Sequence, residues 1–260
     1  MQSPATGPDS ARSWQFAVRN VDTDPWDRLD VAALIGMMQE AATFDALKLE
    51  LGYEQLDPLN LRWLVSRISL RLDADFRWRE EVTIRTWCHH ITHLYFDREF
   101  RFERSDGTVA GVANSAWFLA EQDSHRPRRP DTLGDLEALG YTSGPWEPVI
   151  EAEKLRFRLA RPDAGEAVLR YRPGLSDQDR NGHVNHTRYA AWSIDALWAR
   201  LGSGRRTPIG WQRFDINFLA EVGLYDEVLL FAEPGTGGSL PLRVVGRLAD
   251  GREAFRARFS

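Results

Sequence analysis

The sequence predicts an α+β fold: two antiparallel sheets, each wrapped around a long central helix. Three observations predict it. Apolar residues recur at helical spacing from Val31 to about Leu49, then alternate with polar ones from Leu61 onward. The same order, helix first and strands after, returns in the second half. The two halves also carry acidic residues at matching places in their turns.

Taken in order, Trp14 to Asn20 alternates as a half-buried strand does. V-D-T-D-P-W-D-R-L-D leads into the first helix, whose buried face is marked by Leu34, Met37, Met38, Ala41 and Phe44, with Gly52 as its stop. L-R-W-L-V-S-R-I-S-L-R-L, V-T-I-R-T-W-C, L-Y-F-D-R-E-F-R-F-E-R and T-V-A-G-V-A-N-S-A-W-F-L-A form a meander of long strands, broken by the Arg77–Glu81 and Ser105-Asp106-Gly107 turns. One sheet wrapped round one buried helix is a hot-dog order. Glu121 to about Ala164, with five prolines, reads as an interdomain connection holding a short helix near Leu133 to Leu139.

The second half repeats this plan. V-L-R-Y-R-P is a strand, and Ser176 to Arg200 carries a polar loop and a helix capped by Asn185, with Tyr189, Trp192, Ala196 and Leu197 inward. G-W-Q-R-F-D-I-N-F-L-A, D-E-V-L-L-F-A, L-P-L-R-V-V-G-R-L and R-E-A-F-R-A-R-F complete the meander through an Asp250-Gly251 turn. V-D-T-D-P-W-D-R-L-D-V stands where S-D-Q-D-R-N-G-H-V-N-H stands, with Trp26 in place of Asn181 and Arg28 in place of His183. A later ungapped match sets Asp75 opposite Glu221. Duplication, followed by loss of chemistry in the first copy, accounts for both.

The polar loop is where chemistry concentrates. Asp177, Asp179, Asn181, Gly182, His183 and Asn185 precede the positive end of a buried helix, which suits a developing oxyanion. Clusters of this composition also mark ordinary turns. D-x-N-x-H-V-N followed by a Tyr-bearing helix resembles the active-site motif of the acyl-acyl carrier protein (acyl-ACP) thioesterases of plants and bacteria, which are tandem (double) hot-dog proteins. The shorter D-x-x-G-H-V-N-x-x-x-Y pattern is similar to single hot-dog acyl-CoA thioesterases as well. W-L-V-S-R, Thr86-Trp87 and S-A-W-F-L-A resemble the family's first domain.

The resemblance implies an N-terminal hot-dog domain at 13–125 with a degenerate site and the acyl-chain pocket, a linker at 126–164, and a catalytic C-terminal hot-dog domain at 165–260. It implies that Asp179 orients and charges the site or itself attacks or activates water, that Asn181 holds the carbonyl region, and that His183 is a general base or proton shuttle; which of Asp179, His183 and Glu221 activates water stays open at this point. Glu221 is a further catalytic carboxylate. Plant relatives carry a Glu-Cys pair where this chain has Glu221-Val222, so a cysteine nucleophile is absent at this position and a water-activating scheme is expected. Met37, Met38 and Trp63 are candidate walls of the acyl pocket, and core packing suits them equally. The partner implied is the acidic acyl carrier protein bearing a fatty acyl phosphopantetheine, met by an arginine-rich rim.

Composition narrows the rest. A net charge of −5 argues against a nucleic-acid binder. All but two of the 33 basic residues are arginines, and Arg126, Arg128 and Arg129 form a local patch suited to an acidic partner. No apolar run approaches a membrane span, the first thirteen residues read as a flexible tail without a signal core, and the single cysteine, Cys88, fits a reducing cytoplasm. No cofactor and no metal is expected. C-H-H-I-T-H (Cys88 to His93) lacks a completed zinc spacing, and G-T-G-G-S (Gly235 to Ser239) reads as a hairpin loop. An acyl-CoA thioesterase and a non-catalytic acyl-binding protein are the alternatives. Both a monomer and a homodimer are compatible with two fused hot dogs.

Overall fold

The computed structural model describes residues 11–136, 149–159, 167–202, 204–235 and 240–260. Among these, the first half runs β1 (Arg12–Ala17), α1 (Val31–Lys48), a one-turn α2 (Tyr53–Leu56), then β2 (Leu61–Leu72), β3 (Glu81–Ile91), β4 (Phe96–Glu103), β5 (Val109–Glu121) and the two-residue β6 (Pro127–Arg128). The second half runs β7 (Leu169–Tyr171), α3 (His186–Leu201), β8 (Arg213–Phe218), β9 (Val228–Glu233), β10 (Leu242–Leu248) and β11 (Glu253–Phe259). This is the tandem hot-dog arrangement, helix before meander in each half.

The two predicted sheets meet edge to edge and form one. Strand order is β1-β3-β4-β5-β2-β8-β11-β10-β9-β7, with β6 on β5. The junction is the antiparallel pairing of β2 with β8, from Arg67↔Asn217 to Arg71↔Arg213. Its middle pair is Ser69↔Asp215, and these two residues are also equivalents in the sequence repeat. The junction therefore sits on the axis relating the halves. Ser69 Oγ donates to Asp215 Oδ1 at 2.5 Å there. Pairing removes two open edges at once, which is why the halves join rather than stay apart.

Both helices start on side-chain caps. Asp30 Oδ2 accepts from the Ala32 and Ala33 N–H groups, and Asn185 Oδ1 accepts from Thr187 N–H at 2.9 Å. The helices pack on each other and on the concave side of the sheet, with Leu34, Ile35, Met38, Ala41, Tyr189, Trp192, Ala196 and Leu197 buried in one core with Phe214, Phe255 and Phe259. Phe44, expected inward, is exposed instead and lies tilted against Trp14 of β1, with ring centroids 6.2 Å apart.

The sequence connection at 126–164 begins with β6 and a 3-10 turn, Pro130–Leu133, where a longer helix to Leu139 was expected; residues beyond 136 in that expectation lie outside the described ones. Residues 149–159 run as an extended strap across the sheet junction. Arg67 Nε donates to Ala152 O, Ser69 Oγ accepts from Glu153 N–H, and Asn217 Oδ1 accepts from Leu155 N–H. The strap thus satisfies polar side chains of β2 and β8 on the face away from the helices. Most of the Gly235–Ser239 loop also lies outside the described residues.

Candidate active site

The turn that carries the motif is built identically in both halves. Asp179 N–H donates to His183 O at 2.8 Å, and Asp179 Oδ1 accepts from the N–H groups of Asn181 (2.8 Å) and His183 (3.3 Å). In the first half Asp24 N–H donates to Arg28 O at 2.8 Å, and Asp24 Oδ1 accepts from Trp26 and Arg28, each at 2.9 Å. The turn is a carboxylate-closed loop, and its aspartate holds the turn in both places. What differs is the cargo. Arg28 turns back to pair with Asp24 at 2.8 Å, and Trp26 packs tilted against Trp198 with ring centroids 4.8 Å apart. At the matching positions the second half presents Asn181 and His183 to a cavity.

That cavity, about 760 Å³, lies between α1, the first-half sheet and the motif turn. Asp179, Asn181, His183 and Glu221 all line it, so the four residues named from sequence are brought together. Glu221 follows β8. Its backbone is held by Tyr189, whose hydroxyl accepts from the buried Val222 N–H at 3.1 Å. Burial raises the Tyr189 pKa, so the hydroxyl stays protonated and keeps its place.

Glu221 bridges two imidazoles. Its Oε1 lies 3.5 Å from His183 Nδ1, and its Oε2 lies 2.8 Å from His125 Nδ1. The His125 and His183 rings stand edge to face, 5.1 Å apart. On its other side His183 Nε2 lies 3.3 Å from Nη1 of Arg62, a buried residue of β2 that also donates to Gln122 O. A guanidinium has only donors, so Nε2 is the acceptor and the ring proton sits on Nδ1, facing Glu221. Burial lowers the His183 pKa. Glu221 and Asp179 oppose that effect, while Arg62 and His125 add to it. The imidazole is accordingly neutral at pH 7.

His125 and Arg62 were missed in the sequence. Both come from the first half, 58 and 121 positions away from His183 respectively. His125 sits in the turn between β5 and β6 with positive φ (56°), a conformation that histidine adopts more readily than most residues. A histidine beside the arginine patch is the sole sequence signal it offers.

Tyr53, on α2, covers the mouth. Its hydroxyl interacts with the Asn181 side chain, and the Arg180 guanidinium lies 3.7 Å from its ring centroid. His186, at the first turn of α3, stands edge-on between Trp117 and Phe218; loss of water there lowers its pKa to about 4.

The apolar part of the cavity is walled by Gln39, Ala42, Thr43 and Ala46 of α1, Trp63 and Val65 of β2, Trp117 of β5 and Phe96 of β4. Trp63 is on this wall, as the sequence suggested, fixed by its Nε1–H to Leu51 O at 3.0 Å and by an edge contact with Phe96. Met37 and Met38 are not. They belong to the central core, one step around α1 from the cavity face, where small residues leave the space.

His125, His183 and Glu221 offer three ligand atoms within 4.8 Å of one another, a set that a divalent ion would suit. The imidazole–carboxylate hydrogen bond at 2.8 Å accounts for their approach without one. Cys88 and His89 do not converge: Cys88 lines the cavity while the neighbouring His89 is buried on the other face of β3. Of the basic patch, Arg128 pairs with Glu121 and Arg129 with Asp131, and exposed Arg126 adjoins His125. No helix among the described residues is long and apolar enough to cross a membrane.

Comparison with known proteins bears on the family resemblance and the fold. Residues 10–132 match the acyl-ACP thioesterase N-terminal domain. The chain is 23% identical over 197 residues to the oleoyl-acyl carrier protein thioesterase 1 of Arabidopsis thaliana, a match covering 70% of this chain and 54% of that protein. It is 26% identical over 212 residues to a palmitoyl-acyl carrier protein thioesterase of the same plant, covering 76% and 50%. The chain thus spans about half the length of the curated relatives it matches. Among solved structures, an acyl-ACP thioesterase from Bacteroides thetaiotaomicron superposes with a TM-score of 0.81 at 24% identity, covering 96% of this chain and 97% of the other. The 12:0-ACP thioesterase of Umbellularia californica gives 0.77 at 19% identity, covering 96% and 93%. Residues 10–132 thus resemble the acyl-ACP thioesterase N-terminal domain, and the chain shares the fold of these solved structures along nearly its whole length.

Proposed function

We propose that the chain hydrolyses the thioester of a fatty acyl-ACP to free fatty acid and carrier protein, as a step of fatty acid biosynthesis in the cytoplasm. The observation that carries this reading is the meeting, in one cavity, of an apolar wall from the first half with Asp179, Asn181, His183 and Glu221 from the second. A thioester needs an activated water, an oxyanion site and an apolar slot, and little help for its thiol leaving group. Glu221, held between His125 and His183, is the carboxylate that takes the proton from water. His183, neutral and fixed with Nδ1–H toward Glu221, orients that carboxylate, and the proton Glu221 takes from water is given to the departing thiolate. Asn181 and the first turn of α3 face the carbonyl oxygen as negative charge develops. Asp179 holds the turn that aims Asn181 and His183, and its negative charge adds to the field on His183.

The carrier is proposed to be the acyl carrier protein rather than coenzyme A, because exposed Arg126 and Arg180 adjoin the cavity-lining His125 and Tyr53 and suit an acidic protein. Comparing kcat/KM for matched acyl-ACP and acyl-CoA tests this. A preference for acyl-ACP that weakens with added salt supports it, and a large preference for acyl-CoA defeats it.

A further inference from the structure

The cavity wall has a direction. His183 and Glu221 adjoin β2 and β8, and the wall then steps away through β2 (Trp63, Val65), β5 (Trp117), β4 (Phe96, Arg98) and β3 (Cys88). Strands lie about 4.8 Å apart, so Arg98 is roughly 10 Å and Cys88 roughly 14 Å from β2. The helix gives the same direction. Gln39 contacts Asn185 beside the motif, while Ala46 is seven residues on, about 10 Å along α1.

At that far end the apolar wall meets a buried ion pair. Arg98 Nη1 lies 2.6 Å from Asp45 Oδ2 and 3.3 Å from Thr86 Oγ1. Asp45 Oδ1 is held by Arg12 at 2.6 Å. Asp45 and Arg98 are almost fully buried, at 2% and 5% exposure.

We infer, building on the thioesterase reading above, that the Asp45–Arg98 pair is the floor of the acyl slot and sets the longest chain it accepts. A methyl terminus that reaches the pair can go no further without separating two buried charges. Leaving either uncompensated costs far more than burying another two methylenes contributes. Side chains at this floor determine specificity without touching the reacting atoms.

The test uses two double variants of the full chain. Asp45→Ala with Arg98→Ala opens the floor. Asp45→Leu with Arg98→Met replaces the charges with flexible apolar side chains that an acyl chain can displace, a replacement that buried ion pairs generally tolerate. Each is checked for wild-type-like circular dichroism and cooperative melting. Two series are then measured in two-carbon steps: kcat/KM on acyl-ACPs, and affinity for free fatty acids by displacement of a fluorescent fatty acid. The wild type should show a length beyond which both fall sharply. Whichever variant folds should gain about tenfold at the first step beyond that length, the worth of two more buried methylenes, with shorter chains unchanged. An unchanged length profile in both series, in a folded variant, overturns the inference. If the wild type cleaves no acyl-ACP, the thioesterase reading fails, and the fatty-acid series alone decides the floor by the same shift or its absence.

Discussion

Asp24 and Asp179 close the same turn. Each accepts from the two N–H groups two and four residues on, and each donates its own N–H to the carbonyl of that fourth residue. One turn folds a tryptophan and an arginine back onto the protein; the other points an asparagine and a histidine into a cavity. Scaffold and chemistry are separable at these two positions.

Asp24→Ala should therefore lower stability by about 1–3 kcal/mol, the cost of leaving turn N–H groups without their acceptor, while turnover by the folded fraction stays near wild type. Asp179→Asn keeps an acceptor oxygen and should melt close to wild type, yet lose at least about a hundredfold in kcat through loss of its charge from the site. Thermal melts and kcat for the pair check this; loss of activity in Asp24→Ala equal to that in Asp179→Asn would contradict it.

Tyr189 acts through the backbone. Removing its hydroxyl in Tyr189→Phe leaves the buried Val222 N–H without its acceptor, costing about 1–3 kcal/mol. The melting temperature should drop and kcat should fall, because Glu221 is the next residue back. A variant as stable and as active as wild type would remove Tyr189 from the account.

The pH profile follows from His183. Its folded pKa lies below the ordinary 6.5, chiefly through burial, so the neutral form needed for turnover persists until pH falls below 6.5. Arg62 is one of the cations that push this value down. Arg62→Met should move the acid limb of kcat/KM to higher pH, with activity lost sooner on acidification. A limb that stays put or moves lower would count against the contact between Arg62 and His183.

His125 is a positioning residue, offering its ring to the oxygen of Glu221 that His183 does not face. His125→Ala should lower kcat about tenfold, the order expected for one hydrogen bond to a carboxylate, with KM little changed. His125→Gln, which restores a donor, should recover much of the loss. Equal loss in both variants would mark the residue as structural only.

Much of this was legible because it is local. The motif turn, the Asn185 cap, the inward face of α3 and the span of β2 are written in neighbouring residues, where spacing and capping chemistry act directly. Glu221 was reachable through the resemblance to the family's Glu-Cys position, with the matching acid Asp75 in the first half as support. His125 and Arg62 were not, since strand pairing across distant segments brings them to His183 and no local pattern encodes that. The β2–β8 junction was hidden for a similar reason: alternation identifies a strand but not which edge it meets. Met37 and Met38 were candidates for the cavity wall because the resemblance places the acyl tail in the first domain, and core packing suited them equally. The cavity wall on α1 is lined by Ala42, Thr43 and Ala46, whose small size makes the space.

The central claim is that Glu221 activates water in a cavity shared by both halves. Its most direct test is release of free thiol from acyl-ACP by wild type and by Glu221→Gln, with melting curves for both. The account predicts steady turnover by the wild type and a fall of at least about a hundredfold in kcat for a variant that melts normally. A wild type that releases no thiol from any acyl-ACP, or a Glu221→Gln variant that turns over at the wild-type rate, would contradict it.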